Sequence, residues 1–273
     1  MLNYLQINVT PNPVIFAIGN LSIRYYGLFI AIGVFIGLLL ATKEAARRKL
    51  DTEIVFDLVL YGTISGIIGG RLLHVLSNFN YYYNNPSKII AVWNGGLALH
   101  GGLLLATLVL TLYLRARKVR ILPYLDVIAP AMILAQAIGR WGNFFNQEAF
   151  GIPTSLPWGI FIEKIYRPVE YLNYAYFHPT FFYESIYNLS VFIVLLIIRR
   201  KKWILDGEVA FIYLILYSIG RFFIEILRTD SVYVFSLKLE QLLSIAIITV
   251  ASLFIYHNRK VRKEGSIKKS NNL

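Results

Sequence analysis

A dense group of polar side chains interrupts an apolar stretch at residues 139–151. Arg140, Asn143, Asn146 and Glu148 place a cation, two amides and a carboxylate between glycines. A single charge at the end of an apolar helix usually extends to the membrane interface and has no further role. A concentrated array of donors and acceptors is instead typical of a functional site. The sequence therefore predicts that this stretch binds a polar headgroup.

A second polar group lies along a later apolar segment. Tyr217, Arg221, Glu225 and Arg228 are spaced by 4, 4 and 3 residues, so they share one face of a helix. This face must contact protein or water, because an arginine facing lipid is costly. Arg221 and Glu225 could form a purely structural ion pair. Together with Arg140, however, Arg221 favours an anion site, because the planar guanidinium binds phosphate oxygens through two hydrogen bonds.

His100 stands between two glycine pairs, Gly95-Gly96 and Gly101-Gly102. A lone histidine in an apolar segment commonly packs between helices and has no chemical role. The flanking glycines favour a different interpretation, because they let backbone or lipid approach closely and leave the imidazole accessible. Since histidine accepts a proton near neutral pH, His100 is the candidate general base, with helix packing as the alternative.

Two further polar residues stand near the ends of apolar segments. Tyr26 opens the first segment and can donate a hydrogen bond. Arg71 follows Gly69-Gly70 near the end of the second segment, where it suits either a structural pair or a second contact to a headgroup. His74 and His178 are interpreted as interfacial residues without a role in chemistry.

The composition indicates what kind of protein must position these groups. Of the 273 residues, 57% are hydrophobic and only 15% are charged, with a mean hydropathy of +0.58. These values exclude an ordinary soluble globule and predict an all-α integral membrane protein. Cysteine is absent, which excludes disulfides, thiolate metal sites and a cysteine nucleophile. Because the few acidic residues are scattered, we expect no metal and no cofactor.

Seven apolar segments form a single polytopic membrane domain. At about 1.5 Å per residue, each is long enough to cross a hydrocarbon core of roughly 30 Å. The predicted spans are 25–41, 54–76, 96–114, 121–138, 180–198, 208–228 and 237–256, with a loop segment at 152–177 and a basic tail at 257–273.

The basic residues predict how these spans are oriented. Most of the 27 Lys and Arg form blocks after every second span and at the C-terminus, which is no pattern for binding nucleic acid. The positive-inside bias then predicts an outside N-terminus, an extracytoplasmic loop between the fourth and fifth spans and a cytoplasmic C-terminus. In this topology Tyr26, His100, Arg221 and Arg140, which follows the fourth span, all belong to the outer half of the membrane.

Residues 139–151 resemble the signature of the bacterial prolipoprotein diacylglyceryl transferases. That signature reads Gly-Arg-x-Gly-Asn-Phe-x-Asn-x-Glu-x-x-Gly, and the chain meets every fixed position. Similar elements occur in family order over nearly the whole chain. They are residues 23–27, 69–71, 100–102, 178–180 and 183–184, followed by Tyr217, Arg221, Glu225 and Arg228.

The resemblance implies an alkyl transfer to sulfur. The diacylglyceryl group of phosphatidylglycerol would move to the lipobox cysteine thiol of a prolipoprotein, giving a thioether and glycerol 1-phosphate as the first step of lipoprotein maturation. It also implies a multi-pass protein of the bacterial cytoplasmic membrane whose active site faces the outer leaflet. We expect membrane lipids and prolipoprotein signal peptides as partners, no nucleic acid, and a monomer.

Physical fit to this reaction suggests a role for each polar residue. Arg140 and Arg221 would hold the phosphate and stabilise its charge as it leaves, and His100 would take the thiol proton. These three are the predicted catalytic residues. The predicted substrate-binding residues are Tyr26, Arg71, Asn143, Asn146, Glu148, Gly151, Tyr217, Glu225 and Arg228.

Three other classes of membrane protein were considered. An outer-leaflet transporter or flippase of anionic phospholipid would also carry arginines within the membrane, but the internal repeat typical of transporters is missing. An intramembrane serine protease could use Ser65 and His100, yet Ser65 lacks the expected glycine context. A metal-dependent phospholipid transferase would need grouped aspartates. The transporter remains the main alternative to the transferase.

Overall fold

The computed structural model describes residues 7–19, 21–234 and 236–270, and this part of the chain is mainly helical. In chain order, its helices are α1 (Tyr25–Arg47), α2 (Thr52–Ser77), α3 (Phe79–Tyr83), α4 (Leu99–Ala116), α5 (Ile121–Asn146), α6 (Thr180–Ile198), α7 (Glu208–Leu227) and α8 (Leu239–Ser270). Seven of them, all except α3, are long and apolar enough to cross a membrane. This finding confirms the predicted all-α membrane fold with seven spans.

Short strands lie at one end of the helix bundle. They form three two-stranded antiparallel sheets, β1 (Val14–Ile18) with β2 (Leu21–Arg24), β3 (Ile160–Phe161) with β4 (Tyr176–Phe177), and β5 (Tyr233–Val234) with β6 (Leu237–Lys238). We call the end of the bundle that carries these strands the loop end. The opposite end, where α1, α4, α6 and α8 terminate in basic blocks, is the basic end.

The helices begin and end at residues with identifiable local chemistry. The Asp51 side chain caps α2 by accepting a hydrogen bond of 2.9 Å from the backbone N–H of Glu53. Gly95 and Gly96 have φ angles of 83° and 78°, a left-handed conformation that a helix cannot contain. For this reason α4 begins at Leu99, later than the predicted start of the span at residue 96.

Glycines allow neighbouring helices to approach closely. A Cβ atom added to Gly33 of α1 would lie 3.0 Å from the carbonyl oxygen of Ala135 in α5. One added to Gly69 of α2 would lie 2.4 Å from the carbonyl oxygen of Gly101 in α4. In lipid the hydrophobic effect does not drive helices together, so their association depends on close packing. Small residues at such positions allow this packing.

Helix α5 extends further towards the loop end than the sequence predicted. We expected the fourth span to end at residue 138, with Arg140 following it, but Arg140 lies inside α5. Gly139 and Gly142 do not interrupt this helix, and Gly142 allows α1 to pack closely against it. A Cβ atom at Gly142 would lie 2.6 Å from the Tyr26 ring of α1. Helix α5 therefore continues past the predicted end of the fourth span.

The two segments outside the spans have their own structure. Residues 152–177 contain β3 and β4, and the extended chain at Ile7 pairs with this segment through a hydrogen bond of 3.1 Å from its N–H to Gly159. In the predicted tail, α8 continues to Ser270, and residues 271–273 lie outside the described residues. The orientation of the bundle in the membrane stays a prediction.

Candidate functional site

Glu184 connects the two arginines that were predicted to be catalytic. Its Oε1 atom accepts a hydrogen bond from Nη2 of Arg140, and its Oε2 atom lies 3.8 Å from Nη1 of Arg221. The three residues come from α6, α5 and α7, so three helices meet at one carboxylate. The Glu184 side chain is only 2% exposed. The structure thus brings Arg140 and Arg221 to the two oxygens of one buried carboxylate.

Two more carboxylates surround Arg221. Its Nη2 atom lies 2.8 Å from Oε2 of Glu225, and its Nε atom lies 3.9 Å from Oε2 of Glu240 in α8. The structural ion pair considered for Arg221 and Glu225 is therefore present. Among the described residues, however, Nη1 of Arg221 has no hydrogen-bond partner. A buried guanidinium with an unused donor can still bind an anionic oxygen.

His100 joins this group through Glu240. Its Nε2 atom lies 3.9 Å from Oε1 of Glu240, the same side chain whose other oxygen faces Arg221. The His100 side chain is 53% exposed, so it remains accessible to another molecule. We name this set the arginine–carboxylate cluster, and we count His100 with it. Its members are His100, Arg140, Glu184, Arg221, Glu225 and Glu240.

The signature residues form a hydrogen-bonded turn beside the cluster. Oε1 of Glu148 accepts hydrogen bonds of 2.9 Å from Asn143 and 3.1 Å from Asn146. The turn between them is sharp, because Gln147 and Ala149 have φ angles of 48° and 57°. Residues other than glycine rarely adopt this left-handed backbone conformation. The turn holds Glu148 over the end of α5, where its carboxylate and both amides can contact a ligand together.

Gly151 and Arg228 pair through an antiparallel β-bridge next to the signature turn. A Cβ atom at Gly151 would lie 2.9 Å from Cβ of His178, so only glycine fits where these two backbones meet. Arg228 makes two hydrogen bonds to Asp230, of 2.8 and 2.5 Å. Burial alone would raise the pKa of Asp230, but these hydrogen bonds hold that pKa below its ordinary value. The roles of Gly151 and Arg228 in substrate binding stay predictions.

Both tyrosines that were predicted to bind substrate face charged groups of the site. Tyr26 lies within electrostatic range of Glu148 and Arg140, and Tyr217 lies within electrostatic range of Glu184 and Arg140. Tyr26 is 37% exposed, whereas Tyr217 is partly buried next to Tyr213. The structure therefore brings both hydroxyl groups towards the charges around which a polar headgroup would bind.

An apolar cleft of about 520 Å³ begins at Tyr26 and runs along the bundle. Its walls come from α1, α2, α4 and α5, and residues from Leu97 to Leu110 line one side. Helix α7 contributes no residue to it. A long apolar groove that opens next to a polar site suits a molecule with both a headgroup and hydrocarbon chains.

Arg71 is held by contacts to the loop between α3 and α4. Its guanidinium donates hydrogen bonds of 2.5 to 3.1 Å to four backbone carbonyls, those of Lys88, Ile89, Gly95 and Gly96. Its side chain is buried, and it also lies over the Tyr82 ring. These contacts favour the structural reading of Arg71 that the sequence left open. Its predicted contact to a headgroup stays a prediction.

Sequence reasoning missed Glu184 and Glu240 as members of the site. Glu184 stands next to Tyr183 in an element that resembles the family, and a carboxylate in an apolar segment is itself a signal of function. Glu240 also stands in a predicted span, but nothing in the sequence indicates that it meets His100 and Arg221, which are far from it along the chain. Within the described residues, no group of three or more His, Asp or Glu is arranged to hold a metal ion.

Known proteins similar to this chain belong to one family. A sequence profile of the family described as prolipoprotein diacylglyceryl transferase matches residues 13–257. A protein of Parasynechococcus marenigrum named phosphatidylglycerol–prolipoprotein diacylglyceryl transferase is 43% identical over 90% of this chain and 94% of its own length. A protein of Listeria innocua with the same name is 43% identical over 92% of this chain and 91% of its own length.

These comparisons confirm the predicted family and the enzyme class. Both relatives are named as transferases. Neither name supports a transporter, which was the main alternative. The seven apolar helices agree with a multi-pass membrane protein. Since the profile covers nearly the whole described chain and the identity exceeds 40% over about nine tenths of it, the chain belongs to the prolipoprotein diacylglyceryl transferase family.

Proposed function

We propose that this chain transfers the diacylglyceryl group of phosphatidylglycerol to the thiol of a lipobox cysteine in a prolipoprotein. The thiol sulfur attacks the glycerol carbon that bears the phosphate ester. The carbon–sulfur bond forms as the carbon–oxygen bond breaks, and glycerol 1-phosphate leaves. The observation that carries the proposal is the meeting of Arg140 and Arg221 at Glu184, next to the signature turn and at the opening of the apolar cleft.

The two arginines bind the phosphate in this proposal. Arg221 offers a donor, Nη1, that has no hydrogen-bond partner among the described residues, and its side chain is 13% exposed. Glu184 keeps both guanidinium groups in place while the site is empty. As the carbon–oxygen bond breaks, negative charge grows on the phosphate. Fixed cationic donors stabilise that charge more than they stabilise the bound substrate.

His100 takes the proton of the thiol. A free cysteine has a pKa of about 8.5, so a nearby base raises the fraction of reactive thiolate at neutral pH. Oε1 of Glu240 lies 3.9 Å from Nε2 of His100, close enough to position the imidazole for this proton transfer. His100 acts on the substrate directly, and Glu240 acts through His100.

The headgroup and the acyl chains occupy different parts of the site. Asn143, Asn146 and Glu148 contact the glycerol hydroxyls, and Tyr26 donates to a phosphate or hydroxyl oxygen. The acyl chains extend from Tyr26 into the apolar cleft. The positive-inside bias puts the basic end in the cytoplasm, so the cluster lies towards the outer leaflet of the cell membrane. A signal peptide, itself an apolar helix, brings its cysteine to this same depth.

A peptide assay tests the proposal directly. The purified full-length protein is incubated with phosphatidylglycerol and a synthetic lipobox peptide, and the peptide mass is measured. We expect a diacylglyceryl unit on the cysteine peptide and none on a matched Cys→Ser peptide. An unmodified cysteine peptide, in a sample that still binds phosphatidylglycerol, would overturn the transferase assignment and leave only a headgroup-binding protein.

A further inference from the structure

A pocket of about 290 Å³ lies at the basic end, away from the arginine–carboxylate cluster. It opens between the end of α1, the start of α5 and the loop that follows α6. Four cationic side chains line it, those of Arg48, Arg120, Arg199 and Lys201. Its volume is near the lower end of the range of about 300 to 1,000 Å³ that is usual for ligand sites. The proposed transferase chemistry makes no use of this pocket.

The acidic residues of the pocket leave an excess of positive charge. Asp126 accepts hydrogen bonds of 2.8 and 3.0 Å from the backbone N–H groups of Gly207 and Ala210. Its charge is therefore already used at the N-terminus of α7, and it also lies 3.3 Å from Arg48. The second acid, Asp206, pairs with Arg120 at 3.2 Å.

Arg199 is the buried member of the four. Its side chain is 11% exposed, and its one ion pair among the described residues joins Nη1 to Glu44 at 3.6 Å. The same carboxylate is also bound by Arg47 and Arg48. Within the described residues, Nε of Arg199 has no hydrogen-bond partner. Burial lowers the pKa of Arg199, as expected for a cation whose charge is incompletely balanced.

The depth of the pocket indicates what kind of anion would enter it. Arg48 and Arg199 directly follow membrane-spanning helices, and Arg120 directly precedes one. All three therefore stand at the level of the lipid headgroups. Leu50, Pro123 and Ile204 supply an apolar side to the same pocket. Basic pockets between membrane helices on this kind of face bind the headgroups of anionic lipids.

We propose that this pocket binds the phosphate group of an anionic phospholipid from the leaflet at the basic end. The lipid phosphate contacts Arg199 at the base of the pocket and Arg120 and Lys201 at its rim. This site is separate from the one at the loop end. The lipid bound at the basic end is a structural ligand that the protein does not consume. The inference holds whether or not the proposed transfer reaction is correct.

The test uses two double variants of the full-length protein that change the same charge in the same region. R120Q/K201Q removes two exposed cations that line the pocket and leaves Arg199 with its partner Glu44 in place. R200Q/K202Q is the matched control, since these residues are exposed and do not line the pocket. Phosphatidylglycerol is titrated into each purified protein, and the number and affinity of bound lipids are measured by native mass spectrometry.

We expect one class of bound phosphatidylglycerol to weaken about fivefold for each cation removed in R120Q/K201Q, and to be unchanged in the control. An Arg221→Ala variant should lose a different class of bound lipid and keep this one. Equal weakening in both double variants would replace the pocket with diffuse attraction to charge. Equal retention of zwitterionic phosphatidylcholine by the wild type would overturn the anion site. If millimolar inorganic phosphate displaced the lipid and stabilised the wild type alone, the ligand would be soluble phosphate.

Discussion

The Oε1 atom of Glu240 lies 3.9 Å from Nε2 of His100, which joins the first turn of α8 to the first turn of α4. Only the fold brings these two residues together, since they are far apart in the sequence. The distance is too long for a hydrogen bond but short enough for the carboxylate to orient the imidazole electrostatically. Glu240 is therefore a positioning residue for the proposed base.

Glu240→Gln should lower kcat at neutral pH about 10- to 100-fold and change KM little, because the imidazole of His100 loses the carboxylate that positions it. His100→Asn should cost at least as much. The double variant should be no slower than His100→Asn alone, since Glu240 acts through the base. Steady-state rates with the lipobox peptide give all three values. Fully additive losses would mean that Glu240 works independently of His100. Glu170→Gln, in the loop segment, serves as the control.

Arg221→Lys should reduce kcat/KM about 100-fold or more, since lysine keeps the charge but cannot offer the two-pronged donor to a phosphate. The rate of peptide modification measures this loss. Arg117→Lys is a suitable control, because Arg117 pairs with Asp57 at the basic end. If Arg221→Lys kept full activity, the bidentate contact to phosphate would be wrong and a general positive charge would suffice.

Glu184→Gln should destabilise the protein by about 3–5 kcal/mol, because it leaves two guanidinium groups without their shared carboxylate. The temperature of unfolding in detergent measures this effect. Activity should also fall at temperatures where the variant is still folded, since Arg140 and Arg221 would lose their alignment. A variant that kept both its stability and its activity would show that Glu184 does not hold the arginines in place.

Gly69→Ala should destabilise the protein by about 1–3 kcal/mol, because the new methyl group would collide with the Gly101 carbonyl and force α2 and α4 apart. Gly66→Ala is the matched control one turn earlier in the same helix, where a Cβ atom meets nothing within 4 Å. The two temperatures of unfolding should differ clearly. Equal values would contradict the close approach of these helices.

The stability of the loop end should depend on pH through His178. Burial lowers the pKa of His178, whose Nδ1 atom lies 3.1 Å from the Tyr183 hydroxyl. The unfolded chain binds a proton near the ordinary pKa of about 6.5, whereas the folded chain resists it. Neutral His178 thus makes its full contribution to the stability of the folded protein above the pKa of the unfolded chain. This contribution is lost as the pH falls through the lowered pKa of the folded chain. The unfolding temperature of His178→Gln should fall less from pH 7 to 5 than that of the wild type. An equal fall in both proteins would contradict this prediction.

The spans could be predicted because they depend on local composition. Each is a predominantly apolar run long enough for a helix, in which every backbone hydrogen bond is made within the segment, as lipid requires. The sequence did not predict that α5 continues past residue 138, because Gly142 serves a contact with Tyr26 of a distant segment. Arg140 and Arg221 could be chosen from spacing and chemistry. Glu240 could not, because its link to His100 and Arg221 exists only in the assembled bundle.

The way Arg71 holds its loop has a consequence for how this protein can vary. Its hydrogen bonds go to main-chain oxygens of Lys88, Ile89, Gly95 and Gly96, which every amino acid supplies. Apart from Gly95 and Gly96, whose positive φ angles favour glycine, the side chains of this segment can therefore be exchanged while its path is kept. Leu97 and Leu99, just beyond this attachment, border the cleft and are largely exposed. Substrate preference can thus diverge between species at the entrance while the reaction centre stays the same.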